Sequence, residues 1–341
     1  MTAPRIETSP ANPGTRRAAS VAIGLLAWGP ALNAAIPARP YALDLLSHFT
    51  AHFAVVIALL AVVALARRRR ARAANGLVAA GAALSIFAFA APTPHAFTPS
   101  TDPRPRLRVA LYNCKNEISP TPDGDPFSAW LLDQDADLVA VIEGPLHFPL
   151  SQPAITERYP YRVTPESGLM WPIVLLSRWP IEITPFKPRT PEWVESFLAH
   201  RSVIVTVPPR DGAPGARLLF AATHPPSPRK VATWRASLKR TRMEGDILAE
   251  FRRDRGLPVV IAGDFNSTPV GMPHRTFAEH SGLTGWWRGP FQGTWHAALP
   301  TFLSIPIDRV WTTPDIAVTR LLTGPDFGSD HRPVIADLTI R

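Results

Sequence analysis

Eight short runs rich in valine, isoleucine and leucine recur along the chain, at 107–113, 137–142, 173–177, 202–207, 217–223, 257–262, 307–311 and 334–340. Runs of this length and composition read as strands. Many of the links between them are too short to hold a crossover helix. That argues against a doubly wound parallel sheet and for mixed sheets with helices outside them. Two helix-like runs fit between the strands. Residues 127–134 follow a Pro-Asp-Gly-Asp-Pro turn, and 230–255 is stopped by Gly256, Leu257 and Pro258. There is no internal repeat.

The first hundred residues differ in kind. They hold three apolar segments, 20–38, 41–66 and 73–92. Each approaches the ~20 residues that cross a bilayer as a helix. We place the spans at about 20–38, 45–66 and 73–92. The middle one ends in Arg67, Arg68, Arg69, Arg70 and Arg72, and Arg16 and Arg17 precede the first. Both clusters mark the cytoplasmic side, so the expected path is out, in and out again. The chain after 92 then lies outside the cytoplasm, anchored at a membrane. Asp44, His48 and His52 near the outer end of the second span form a candidate polar patch, since ionisable groups at membrane depth are functional candidates. Four prolines in residues 93–106 make an extended linker. The expected organisation is a membrane region at 1–92, a linker at 93–106 and a catalytic domain at 107–341.

Charge follows the same division. The net charge is +9, yet +7 of it lies in residues 1–72, where nine arginines face only Glu7 and Asp44. The remaining +2 argues against avid polyanion binding by the main domain. The basic stretch 229–255 reads as a solvated helix face. Charged residues are 18% of the chain, low against the ~25% of soluble domains. Cys114 stands alone, so a disulfide scaffold is excluded.

Acidic, amide and histidine residues gather at the strand ends. Asn113 ends the first run and Glu143 follows the second. His224 follows the fifth. Asp264 and Asn266 follow the sixth, in Gly263-Asp264-Phe265-Asn266. Asp308 is the second residue of the seventh, in Ile307-Asp308-Arg309-Val310, and Asp330 and His331 precede the last. A carboxylate after a rigid apolar strand is aimed at the rim of a core. Carboxylates and amides suit hard divalent cations such as Mg²⁺. No cysteine cluster or close histidine pair suggests a structural zinc. His331 could act as a base or electrostatic clamp if a carboxylate fixes its tautomer.

At these residues the chain resembles the endonuclease/exonuclease/phosphatase superfamily, which includes deoxyribonucleases, abasic-site endonucleases, neutral sphingomyelinases and inositol-polyphosphate phosphatases. Gly263-Asp264-Phe265-Asn266, Ile307-Asp308 and Ser329-Asp330-His331-Arg332-Pro333-Val334 carry the likeness, with Leu175 to Ile181 a further piece. The resemblance implies a four-layer α/β sandwich, two mixed sheets flanked by helices, with the site at one mouth. It implies that Glu143 binds Mg²⁺ (Mn²⁺ in its place), with Asn113 and Asp330 close by. Asp264 would orient or activate the attacking water. Asn266, with Asn113, would hold the substrate. His331, oriented by Asp308, would stabilise the transition state, and His224 would serve as general acid.

The N-terminal region resembles a bacterial subgroup with three spans, on the cues Leu45-Leu46-Ser47-His48-Phe49 and Thr294-Trp295. Two departures stand out. The family often has Leu-Gln-Glu where this chain has Val141-Ile142-Glu143, and the subgroup usually has proline where His296 stands. Neither removes a metal ligand. The expected function is a membrane-anchored, metal-dependent phosphoesterase acting on diesters or monoesters of lipid, nucleic acid or small molecules. A tethered nuclease and a non-catalytic scaffold on a hydrolase fold are the alternatives. No protein partner is implied. Trp286, Trp287 and Trp295 read first as core, with base stacking or lipid contact as the sharper reading.

Overall fold

The computed structural model describes residues 36, 38–56, 59, 106–115, 117, 125–145, 148, 152–164, 172–183, 201–209, 215–289 and 291–340. The linker 93–106 lies outside them except for Arg106, as do the third expected span and almost all of the first. The second span is described only in part. Among the described residues, no helix is long and apolar enough to cross a membrane.

The chain divides into two compact units. One comprises 1–39 and 49–91, the other 40–48 and 92–341. The second unit opens with α1 (Tyr41–Ser47) and continues with β1 (Arg106–Asn113), α2 (Pro126–Gln134), β2 (Leu138–Ile142), α3 (Pro153–Arg158), β3 (Tyr161–Val163), β4 (Ile173–Ser177), β5 (Ile181–Ile183), β6 (Ser202–Val207) and β7 (Ala216–Thr223). Then come α4 (Val231–Arg255), β8 (Val259–Asp264), α5 (Met272–Ser281), β9 (Thr284–Trp286), β10 (Asp308–Thr312), β11 (Ile316–Thr323) and β12 (Val334–Ile340).

These strands form two mixed sheets of six, ordered β11-β12-β1-β2-β4-β3 and β5-β6-β7-β8-β10-β9. In a strand, alternate side chains face opposite sides, and both sheets use this to make three apolar layers. Leu107, Val109 and Leu111 of β1 meet Leu218, Phe220 and Ala222 of β7 and Val260 and Ala262 of β8 in the core between the sheets. Ala110, Tyr112, Val139 and Val141 turn outward onto Phe127 and Leu131 of α2 and Ile155 of α3. Leu219, Val259 and Ile261 turn outward onto Leu248 and Phe251 of α4 and Phe277 of α5. The result is the expected α/β/β/α sandwich.

Local chemistry explains the helix ends. Asp125 caps α2 by accepting from the Ser128 N–H at 2.9 Å. Gly256 closes α4 in the left-handed region at φ 63°. The basic residues Arg235, Lys239, Arg242, Arg253 and Arg255 of α4 are exposed, as a solvated face requires. Trp286 and Trp287 are core residues.

Gly263 sits where β7 and β8 run parallel, opposite Thr223. A Cβ there would run into the Thr223 carbonyl oxygen. Gly263→Ala is therefore expected to lower stability by about 1–3 kcal/mol, as overpacking does. Urea unfolding followed by circular dichroism checks this.

Candidate active site

Parity carries the apolar interior into the site. Leu107, Val109 and Leu111 face the inter-sheet core, and two residues further the same face ends in Asn113. Leu218, Phe220 and Ala222 lead in the same way to His224, and Val260 and Ala262 to Asp264. Val310 leads backward to Asp308. Register then brings these ends to one mouth. Asn113 pairs with Ile142 across the parallel β1–β2 ladder, which sets Glu143 beside it. Thr223 pairs with Gly263, and Asp308 directly opposes Asp264.

The side chains interlock. The Lys115 backbone N–H donates to Asn113 Oδ1 at 3.2 Å, which fixes how the amide is turned. Asn113 Nδ2 then donates to Asp264 Oδ2 at 3.0 Å and to Glu143 Oε1 at 3.2 Å. His224 Nε2 lies 3.4 Å from Asp264 Oδ2 and 3.5 Å from Glu143 Oε1. His331 Nδ1 is 2.9 Å from Asp308 Oδ2, and its Nε2 is 3.7 Å from Asp264 and 3.9 Å from Asp330. Thr294 Oγ1 accepts from the backbone N–H groups of Ile307 and Asp308 at 3.3 Å each. Ser329 Oγ accepts from the His331 N–H and donates to the Asn113 carbonyl, tying the last loop to β1.

Every residue predicted for the site is at this mouth, with Asn266 at its edge. Asn266 has φ 48° and donates its N–H to Asp264 Oδ1 at 2.8 Å, while its Nδ2 donates to the Pro225 carbonyl at 3.1 Å. Two further members were not placed here by sequence. Lys115 Nζ and Trp295 Nε1 reach Asp330 Oδ2 at 3.3 and 3.4 Å. For Trp295 the pairing Thr294-Trp295 was the available signal. For Lys115 there was none, because its approach depends on the left-handed turn after β1.

Burial opposes charge on His331, but Asp308 and Asp264 outweigh it and push the imidazolium up to about 10. Burial works against Asp264 as well, yet His331 and His224 hold it down at about 2. Burial pushes Asp308 up, against the pull of His331. The consequences for stability differ in sign. His331 has its folded value raised above 6.5, so its contribution is complete below about pH 6.5 and is lost as pH rises through 10. Asp264 has its folded value lowered, so its contribution is present above about pH 4 and lost as pH falls through 2. Thermal melts of metal-stripped protein should decline between pH 7 and 10, and His331→Gln should flatten that decline.

Asp264, Asp308 and His331 each offer one ligand atom, all within 4.8 Å of one another. Four carboxylates, Glu143, Asp264, Asp308 and Asp330, therefore converge with two histidines at the open end of a two-sheet sandwich. Such a site sets oxygen donors suited to a divalent ion beside two histidines.

Residues 110–331 match the model of the Endonuclease/Exonuclease/phosphatase family, and the chain belongs to that family. Solved structures agree on the fold. The human Nocturnin catalytic domain with bound sulfate matches at TM-score 0.51 and 16% identity, over 70% of this chain and 96% of that one. A family protein from Bacteroides vulgatus matches at TM-score 0.51 and 16% identity, over 69% and 99%. Another, from Bacteroides thetaiotaomicron, matches at TM-score 0.50 and 17% identity, over 72% and 97%. No curated protein matches.

Proposed function

We propose that this protein is a divalent-metal-dependent phosphoesterase that hydrolyses phosphodiester or phosphomonoester bonds. The observation that carries the reading is the cluster of Asp264, Asp308 and His331, whose ligand atoms lie within 4.8 Å of one another at the mouth of the two sheets. The rest of the proposal is an anchor at 20–38, 45–66 and 73–92 in a bacterial inner or cell membrane, with the site on its periplasmic or outer side.

The donor set fits Mg²⁺ or Mn²⁺. Among the described residues four carboxylates face Lys115, His224 and His331, and the buried Asp308 Oδ1 has no hydrogen-bond partner. Oxygen donors of this kind are what hard divalent ions take. Glu143, Asp330 and Asn113 would hold the ion, which when bound polarises a phosphoryl oxygen and steadies the leaving oxygen.

The chain's own groups do the rest. Asp264 accepts from the Asn266 N–H at Oδ1 and from Asn113 Nδ2 at Oδ2, and the carboxylate so fixed orients an attacking water. His331, held by Asp308, presents Nε2 as a donor to the equatorial phosphoryl oxygens. Stabilisation of developing charge by a preorganised donor usually contributes more to the rate than any other single effect. His224 stands between Glu143 and Asp264, where it can hand a proton to the leaving oxygen. Asn266 adds a contact to the phosphate once its amide turns from Pro225.

The test is turnover by the full chain, with Mg²⁺, Mn²⁺ or EDTA, of plasmid DNA, short single strands, phospholipid vesicles and bis(p-nitrophenyl) phosphate. His331→Ala sets the background. Metal-dependent turnover lost in the variant supports the reading, and the substrate arm decides between nuclease, lipid and small-ester activity. Silence of the wild type on every arm would overturn it.

A further inference from the structure

The loop after Asp264 is held by residues from the far N-terminal part of the chain. It runs from Phe265 to Gly271, between β8 and Met272, the first residue of α5. Its own neighbours satisfy three backbone donors: Phe265 N–H gives to Ile307 O, Asn266 N–H to Asp264 Oδ1 and Gly271 N–H to Thr268 O. Two more are satisfied by α1 and the residue after it. His48 Nδ1 accepts from the Thr268 N–H at 3.2 Å and lies 2.9 Å from Thr268 Oγ1. Asp44 Oδ1 accepts from the Met272 N–H at 2.8 Å.

These are unusual partners. The first N–H groups of a helix need an acceptor, and the residue at the cap position before α5, Gly271, has no side chain to give one. Asp44, 228 positions away, supplies it. The same carboxyl also accepts from Trp234 Nε1 on α4 at 2.8 Å, and Tyr41 Oη donates to the Pro228 carbonyl. The segment is thereby fixed to both helices that flank β8. Gly271 lets the two segments approach closely, since a Cβ there would collide with Ser267 Oγ and with the His48 ring. Because a backbone N–H can only donate, His48 Nδ1 is an unprotonated acceptor and the proton sits on Nε2. Asp44 and His48 are both buried. A segment that served only to cover apolar surface would have no reason to bury a carboxyl and an imidazole, since each costs free energy unless hydrogen-bonded.

We infer that Asp44 and His48 are positioning residues for the reaction, acting through Thr268 and Met272 to set the loop that aims Asp264 and Asn266. The inference rests on the phosphoesterase reading for its kinetic test only. The clamp belongs to a stretch whose apolar sequence suits the start of a membrane span. It makes residues 40–48 part of the catalytic unit.

The test uses the full chain in detergent with Mn²⁺ and bis(p-nitrophenyl) phosphate. His48→Ala should lower kcat by roughly 10- to 10²-fold, the scale of a misplacement of about 1 Å. KM should stay within about twofold, because the loss falls on the transition state. Hydrogen exchange of peptides spanning 265–272 should quicken while 259–263 stays protected. Asparagine can place its amide oxygen where Nδ1 lies, so His48→Asn should restore both kcat and protection, and His48→Gln should not. Asp44→Ala should show the same loop-confined loosening, and its effect should be less than additive with His48→Ala. Wild-type kcat in His48→Ala would overturn the inference. So would loss of protection throughout β8 without rescue by asparagine, which would mark a structural role alone. If the wild type turns nothing over, the phosphoesterase reading fails and the exchange arm still decides. Unchanged protection at 265–272 in His48→Ala would then overturn the clamp.

Discussion

Asp264→Ala and His331→Ala should each lower kcat by ~10²–10³ or more, the loss that follows removal of one preorganised group from a charge-stabilising site. Asp264 is buried and tied at one oxygen to the Asn266 N–H and at the other to Asn113 Nδ2, so the carboxylate that aims a water is held in one orientation. Alanine leaves that water without an acceptor and leaves His224 and His331 facing a hole. His331→Ala removes the cation that three carboxylates have been arranged to support. KM should move much less than kcat in both, because these groups act on charge that develops in the transition state. Steady-state kinetics on whichever substrate the wild type accepts checks this. Near wild-type kcat in Asp264→Ala would show that the water is oriented by another residue.

Asp308→Asn should cost roughly 10³-fold or more, by analogy with the tautomer reversal when an orienting aspartate becomes an amide. The Asp308 carboxylate accepts from His331 Nδ1 at 2.9 Å, and the Asp308 backbone N–H donates to Thr294 Oγ1. An amide nitrogen at that position would favour the wrong tautomer. It would also remove a charge that raises the His331 value. The alkaline limb of the rate profile should therefore move to lower pH in the variant, opposite to the effect of a simple loss of substrate affinity. A profile measured between pH 6 and 10 distinguishes the two. Asp308→Glu, which keeps the charge but lengthens the arm, should retain more of the alkaline limb than of the rate.

Much of the domain was legible in residue order. The predicted strands start and end within about two residues of the observed ones, the scatter usual for element ends; β8 shows the widest offset, starting at Val259, two after the expected start, and running on to Asp264. The strands that were not read include β3, β5 and β9, which are three residues each, too short to show alternation. The fourth, β11, is interrupted by a register shift between Val318 and Arg320, which breaks its pattern of two. Among helices, α5 was hidden because Gly271 offers no side-chain cap. Its cap comes from Asp44, which no local window contains.

The sequence alone determined the chemistry available at the mouth. Asn113, Glu143, His224, Asp264, Asp308, Asp330 and His331 each stand at or near the end of an apolar run, and for Asn113, His224, Asp264 and Asp308 the side facing the mouth follows from parity. Tertiary structure decided which of them meet. Asn113 adjoins Glu143, and Asp308 opposes Asp264, only because β1 pairs with β2 and β10 with β8 in one register. A register one residue away would turn every one of these side chains to the other face. Tertiary structure also brought Lys115 and Trp295 to Asp330, and it turned Asp44 and His48 toward the catalytic loop. The reason is the same in each case. Alternation along a strand is a property of neighbours in sequence, whereas pairing and docking are set by burial and backbone hydrogen bonds between segments as many as 228 positions apart.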